Sequence, residues 1–264
     1  MKTYSVIIVG AGPAGIFTLL SLIEKGISDI IILDMGRDIF SRNRETGKGG
    51  GLLSGWGGAG AFSDGKLTFS TEVGGFLKEL IPQKKLVNLL GKADEIYLAY
   101  GGTPFKYGEK PDEMEEIKRS AKLAGMEFIP MQIRHLGTEN CQSILKNIRQ
   151  GLENKVEVRT ETKVENILAE KGRVKGVKLE DGEIIRGKIV VSAPGRIGAS
   201  WMQREANRMN LTSVPSPVDI GVRVELPAAT LQRVTDATYE AKLIYYSKSF
   251  DDRIRTFCMN PYGE

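Results

Sequence analysis

Metal- and thiol-based chemistry has little to work with in this chain. Its 264 residues include one histidine, His135, and two cysteines, Cys141 and Cys258. The cysteines are far apart, whereas a redox dithiol uses a close pair such as Cys-x-x-Cys, so no thiol relay is expected. One histidine, Cys141 and scattered carboxylates offer no metal-ligand spacing either. An excess of one charge is also missing. There are 37 basic and 33 acidic side chains, a formal net charge of +4, and no basic block, which argues against a nucleic-acid partner. Apolar runs stop at strand length, far short of the roughly twenty residues of a membrane helix, so no membrane partner is expected. The apolar run after Lys2 is broken at once by glycine and proline, unlike a signal peptide, and a cytoplasmic location is the expectation.

Glycine, by contrast, is abundant, with 31 residues. Val6 to Val9 is an unbroken apolar run, as in a strand buried on both faces of a parallel sheet. Gly10-Ala11-Gly12-Pro13-Ala14-Gly15 follows, and then a helical run over about 14–25. Gly10 permits the tight turn, Gly12 lets a pyrophosphate approach the backbone, and Gly15 lets the helix pack close to the sheet. The amino-terminal amides and dipole of that helix favour a dianion. A second strand, Ile30 to Leu33, ends in Asp34, about twenty residues past the glycines, where a carboxylate accepts hydrogen bonds from an adenosine ribose. Strand, glycines, helix, strand and acid in this order point to a bound dinucleotide. The same fingerprint serves FAD and NAD(P). Arg37 hints at a ribose phosphate, and the acid at Asp34 argues against one.

Further along, a glycine-dense segment over 38–70 includes Gly47, Gly49, Gly50, Gly57, Gly58 and Gly65. It is too long and too rich in glycine for an ordinary connection. Helical spacing is expected over about 74–90, and a second helix over 111–124 with Asp112 as N-cap. A strand over 126–130 and an amphipathic helix over 139–153 come next, then strands at Val156 to Val158, 163–169, 173–179 and 183–186. Asp181-Gly182 marks a hairpin turn between the last two. Ile189 to Val191 reads as a separate buried parallel strand, followed by a helix to about Asn207. From Pro215 the pattern becomes strands: Val218 to Glu225, Lys242 to Tyr246 and Arg253 to Met259.

Gly55-Trp56-Gly57-Gly58-Ala59-Gly60-Ala61-Phe62-Ser63-Asp64-Gly65-Lys66-Leu67-Thr68 resembles the signature of the uncharacterised FAD-dependent dehydrogenase family. Arg134 to Glu139 resembles a second stretch of it, and with the amino-terminal fingerprint the resemblance spans essentially the whole chain. It implies two-domain FAD-dependent oxidoreductases. The fold is then α/β, a Rossmann-like three-layer FAD-binding domain at 1–70 and 136–205, a helical excursion at 71–135, and the start of a β-rich substrate domain at 206–264. It implies non-covalent FAD that passes a hydride or electron pair between a small-molecule substrate and an acceptor, with NAD(P)H or another electron donor as partner. It also implies cofactor contacts at Gly10, Gly12, Pro13, Ala14, Gly15, Asp34, Met35, Gly57, Gly58, Ser63, Lys66, Val164, Ala193 and Gly195. The backbone near Val164 would hold the adenine, unless Val164 is an ordinary half-buried strand residue. Ser192 to Gly195 would be the return turn beside the pyrophosphate.

For catalysis the candidates are Lys66 and His135. Lys66 either sits at the flavin N1–C2=O edge or is a solvated surface lysine. His135 is either a general acid/base or a structural hydrogen-bonding residue. Arg134 would position an acidic substrate through a bidentate contact. Asp64 caps a turn, and Trp56 packs rather than stacks on the ring. Proteins of this architecture continue through the substrate domain and return with a Gly-Asp segment to the cofactor. None is visible here, so the chain reads as an incomplete substrate domain. The alternatives are an NAD(P)-dependent dehydrogenase and a non-catalytic flavin- or nucleotide-binding fragment.

Overall fold

The computed structural model describes residues 2–43, 51–214 and 218–263. Gly47, Gly49 and Gly50 of the glycine-dense segment, and Pro215, lie outside the described residues. In chain order the regular elements are β1 (Thr3–Val9), α1 (Pro13–Glu24), β2 (Ile30–Leu33), β3 (Lys66–Phe69), α2 (Leu77–Leu80), α3 (Gln83–Ala99), α4 (Pro111–Leu123), β4 (Glu127–Ile129) and β5 (Gln132–His135). There follow α5 (Thr138–Gly151), β6 (Glu157–Arg159), β7 (Val164–Glu170), β8 (Arg173–Leu179), β9 (Ile184–Ser192), α6 (Ala199–Arg208), α7 (Gln232–Thr238), β10 (Lys242–Tyr246) and β11 (Arg253–Arg255). The chain forms two compact units, Met1–Asp64 with Thr138–Val218 and Gly65–Gly137 with Asp219–Glu264.

The first unit is built on a six-stranded sheet in the order β6-β2-β1-β9-β8-β7. β6, β2, β1 and β9 run parallel, and β8 and β7 continue from β9 as antiparallel strands. Period-two alternation sends Ile7, Val9, Ile31 and Leu33 into one core with Val164, Val177, Leu179 and Ile185. Ile8 and Ile32 point to the other face, and Ile16 and Leu19 of α1 are also fully buried. The α/β expectation with a parallel sheet is met. Val9 pairs with Leu33 and with Ser192, and Leu33 pairs with Arg159, so four strands finish in line. The chain steps from β1 to β2 on one side and reaches β9 on the other. Ligands of open α/β sheets bind at such a switch point, beyond the carboxyl ends.

The second unit contains a three-stranded antiparallel sheet, β11-β10-β4, and the β3–β5 pair. Because β4 pairs with β10, the segment at 71–135 is not a separate helical layer but shares a sheet with the carboxyl-terminal strands. Met114, Ile117 and Ala121 of α4 pack with Phe128 and Ala241 in its core.

Several sequence expectations are corrected. The helix over 74–90 is two helices, because Pro82 ends α2 and begins α3, which continues to Ala99. The N-cap of α4 is Lys110 with Pro111 in the first turn, so Asp112 lies inside the helix. The strands at 183–186 and Ile189 to Val191 are one nine-residue strand, β9. Gly187 keeps it continuous, since a Cβ there would lie 2.6 Å from Ile7 Cδ1. Ile189 is 55% exposed rather than buried on both faces. The strand over Val218 to Glu225 does not form. Those residues carry no regular secondary structure.

Candidate functional site

Three backbone segments of the first unit converge beyond the ends of β1, β2 and β9. Gly10 sits at φ +105°, and its N–H donates to Leu33 O at 2.7 Å. A Cβ on Gly10 would lie 2.1 Å from Ala193 O, and one on Gly15 would lie 1.9 Å from Gly10 O. No side chain fits at either position, so the return turn at Ala193 and the first turn of α1 close directly on the Gly10 turn. Ala193 N–H donates to Val9 O at 2.8 Å. Gly12 is the extended N-cap of α1 and offers no side-chain cap, and Pro13 supplies no N–H. The first amides of α1 therefore lack intrahelical acceptors, as at any helix start. Pro13 and Ala14 are exposed there, and so is Gly195 on the facing turn.

The glycine-rich loop joins the same place. Gly57 N–H donates to Ala11 O at 2.8 Å. A Cβ on Gly58 would stand 3.1 Å from Gly12 Cα, and one on Gly60 3.5 Å from Pro13 Cγ. Gly57 and Gly58 are buried, with the Gly57 Cα face on Leu145. Trp56 is fully buried and its indole donates to Leu145 O at 3.1 Å, so it packs, as expected. Ser63 is exposed and its hydroxyl meets Asp64 Oδ1 at 3.4 Å.

Asp34 ties these segments together. Oδ2 accepts from Ala11 N–H at 2.7 Å, and Oδ1 accepts from Gly36 N–H at 2.8 Å and Gly55 N–H at 2.6 Å. A carboxylate has about four lone-pair sites, so three backbone bonds leave Oδ2 with capacity for one more donor. Beside it lies a cavity of about 200 Å³ lined by Met35, Gly36, Arg37, Arg42, Ser54 and Glu161. Val164 is not part of this wall. It is buried in β7 opposite Leu179, and it is Glu161 and Thr162 whose amides donate to Gly36 O and Asp34 O, at 2.7 and 2.8 Å.

Sequence reasoning missed Arg42. It is buried, it donates to Trp56 O at 2.5 Å and to Leu52 O at 3.1 Å, and its Nε has no partner among the described residues. Burial lowers its guanidinium pKa, against an opposing pull from Asp34. A buried cation beside Gly55, on the wall of the cavity next to Asp34, suits an anionic ligand. The only sequence signal was its position eight residues after Asp34.

The remaining candidates belong to the second unit. Lys66 is not a solvated surface lysine: its ammonium bonds Glu240 Oε2 at 2.9 Å and Met259 O at 3.2 Å. Glu240 also pairs with Lys242 at 2.6 Å. Burial would push the Glu240 carboxyl up, but hydrogen bonds from Lys242 and Lys66 outweigh it and hold the pKa below the ordinary value. Tyr239 adopts φ 60°, ψ −53°, and Glu240 N–H reaches across it to Thr238 O at 2.7 Å, a γ-turn with positive φ. Its hydroxyl lies 3.0 Å from His135 Nε2, and the two rings stack with centroids 4.3 Å apart. Arg134 does not face a substrate. It is buried and bidentate on Asp94 at 2.6 and 2.8 Å, with a further bond to Thr103 O.

Among the described residues no helix is long and apolar enough to cross a membrane. A protein from Clostridium beijerinckii, itself described as uncharacterized, is 28% identical over 97% of this chain and 44% of its own length. Among solved structures, the L-amino acid deaminase of Proteus vulgaris is 16% identical, covering 80% of this chain and 51% of that one, with a TM-score of 0.45. The L-proline dehydrogenase of P. horikoshii is 15% identical, covering 81% and 58%, with a TM-score of 0.45. The glycine oxidase of Bacillus cereus is 17% identical, covering 78% and 58%, with a TM-score of 0.46. The chain thus spans about half the length of the proteins it matches. Residues 5–257 match the FAD dependent oxidoreductase (DAO) family, and the chain belongs to that family.

Proposed function

We propose that this chain is the FAD-holding part of an oxidoreductase that takes a hydride or electron pair from a small-molecule substrate. The observation that carries this reading is the convergence of the Gly10–Gly15 turn, the Gly55–Gly60 loop and the Ala193 turn at the ends of four aligned strands. The residues fit the cofactor, because the cradle is bare backbone closed tightly at Gly10 and Gly15, where a Cβ would collide, and because Arg42 brings positive charge. Bound FAD supplies the two-electron chemistry. The chain's own part is to bind and orient. The amides at the start of α1, around Gly12, Pro13, Ala14 and Gly15, carry the pyrophosphate charge. Asp34 accepts a ribose hydroxyl at Oδ2, and Met35, Arg37 and Glu161 wall the adenosine side. Gly10, Gly57, Gly58 and Ala193 hold the cradle's shape, and Ser63 and Gly195 border it.

The first unit is on this reading the cofactor domain, and the second unit carries the substrate side. His135, hydrogen-bonded to Tyr239, is there the acid/base candidate, and Lys66 is held on Glu240. The electron pair passes on to an acceptor or, where the small molecule is itself the acceptor, comes from NAD(P)H or another donor, and a cytoplasmic location is part of the same reading. The test is the visible absorption spectrum of the purified chain, with identification of any cofactor released on denaturation. Released FAD is the expected result. A colourless protein that takes up no added FAD refutes the reading.

A further inference from the structure

Among the described residues seven other than glycine take a positive φ, and Tyr239 alone of them is buried. Its φ 60°, ψ −53° is a strained backbone for an aromatic residue, and such strain persists only where the surroundings impose it. Here they impose it from both sides. On entry to the turn, Tyr239 N–H donates to Thr235 O at 2.7 Å. On exit, the Glu240 carboxylate accepts from Lys66 at 2.9 Å, from Lys242 at 2.6 Å and from Met259 N–H at 3.2 Å. The Tyr239 ring stacks on His135 and lies 5.2 Å from the Tyr107 ring, between centroids. The Lys66 ammonium stands 5.7 Å from its centroid, and Lys66 is also the strand partner of His135. An ammonium cannot accept a hydrogen bond, and the Glu240 oxygens are engaged by the two lysines and Met259. The buried phenol instead meets His135 Nε2 at 3.0 Å.

We propose that Tyr239 is a positioning residue for His135: its hydroxyl donates to Nε2 and so holds the imidazole in one orientation, with its proton on Nδ1. Which ring nitrogen carries the proton is set by the bond that the other one makes. The strained turn is what brings the hydroxyl to Nε2. A phenylalanine in its place would pack as well and leave the tautomer unset. The use of this arrangement in turnover rests on the reading of His135 as the acid/base group. A substrate that yields a hydride to FAD from a C–H bond also sheds a proton from the adjoining O–H or N–H, leaving C=O or C=N. With Nδ1 already protonated, Nε2 is the atom that takes this proton, and the Tyr239 hydroxyl turns from donor to acceptor. The arrangement itself needs neither FAD nor substrate.

His135 is the chain's one histidine, so labelling histidine with nitrogen-15 yields a single imidazole. Its two nitrogen shifts, read well above neutral pH, report the tautomer. The purified chain, with or without flavin, should show a protonated Nδ1 and an unprotonated Nε2, the tautomer that free histidine disfavours. Tyr239→Phe keeps the ring and its packing. It should leave the circular dichroism unchanged and move both shifts toward the averaged values of free imidazole. A wild-type chain with Nε2 protonated, or with averaged shifts, overturns the proposal. So does a Tyr239→Phe chain that keeps the proton on Nδ1, because packing alone would then fix the ring. The flavin content of the same samples is read separately from their visible absorbance, so a chain without FAD refutes the cofactor reading and leaves this one standing on its own shifts.

Discussion

Asp34 is read from sequence as a ribose ligand, and its surroundings give it a second task that is measurable without cofactor. Three backbone N–H groups, of Ala11, Gly36 and Gly55, end on its carboxylate. Asp34→Ala strands all three in a site where Asp34 is only 9% exposed. Each stranded donor costs about 1–3 kcal/mol. Water entering the space vacated by the carboxylate recovers part of that, so a total of about 3–6 kcal/mol is expected. Asp34→Asn retains an acceptor for Gly36 and Gly55 but turns its NH2 toward Ala11 N–H. It should lose about 1–3 kcal/mol by the same reasoning. Urea unfolding of cofactor-free protein followed by tryptophan fluorescence reads this directly, because both tryptophans, Trp56 and Trp201, belong to the first unit. A shift in midpoint at constant slope is the expected form. Loss of FAD affinity should accompany it, by about 1.5–3 kcal/mol for a ribose bond to a charged acceptor. Asp34→Ala costing under about 0.5 kcal/mol without cofactor, the ordinary range for surface changes, would refute the bracing role.

Other outcomes follow from the same geometry. Gly10→Ala collides with Ala193 O and should lower the first unit's stability by about 3 kcal/mol or more, whereas Gly195→Ala meets nothing within 4 Å and should cost only the left-handed backbone, about 1–2 kcal/mol; equal effects in urea unfolding would contradict the packing. Burial, with Asp64 nearby, pushes the Cys141 thiol up to about 11, while Cys258 is exposed. A thiol reagent at pH 8 should therefore label one cysteine quickly and the other only on unfolding, and two equally fast reactions would be the wrong result. Glu240 titrates below its unfolded value near 4.5, so it stabilises the second unit above that pH and the contribution is lost as pH falls toward its folded value. Glu240→Gln should make the acid loss of amide protection in β10 shallower than in the wild type, and an identical acid profile would count against the ion-pair account.

The legible parts of this molecule are the local ones. β1, the Gly10 turn, α1, β2 and Asp34 follow from one stretch of sequence in which spacing, capping and apolar runs agree. The hairpin at Asp181-Gly182 is local in the same sense. What escaped the sequence depends on pairs of segments far apart. Nothing in residues 55–60 announces that Gly58 lies against Gly12, nor that Gly55 donates to Asp34. Arg134 looked like a substrate clamp because its partner, Asp94, is forty positions away in a helix that was expected to end before it. The merged β9 was missed because Gly187 reads as a break, while its purpose is to clear Ile7. The alternation over Val218 to Glu225 reads as a strand, but pairing is a property of two segments, and the structure forms no strand there.

The nesting of the two units also sets an order for synthesis. β1 lies in the middle of its sheet, yet the strand on its far side, β9, is made only after the whole of Gly65–Gly137 has emerged. At about 5–20 residues per second, β1 and β2 wait on the order of ten to thirty seconds with one edge open. β4 waits in turn for β10. Neither unit can close before the other has begun, so a nascent chain passes through a stage with two unfinished sheets at once. Chaperone demand and misfolding should concentrate in that interval.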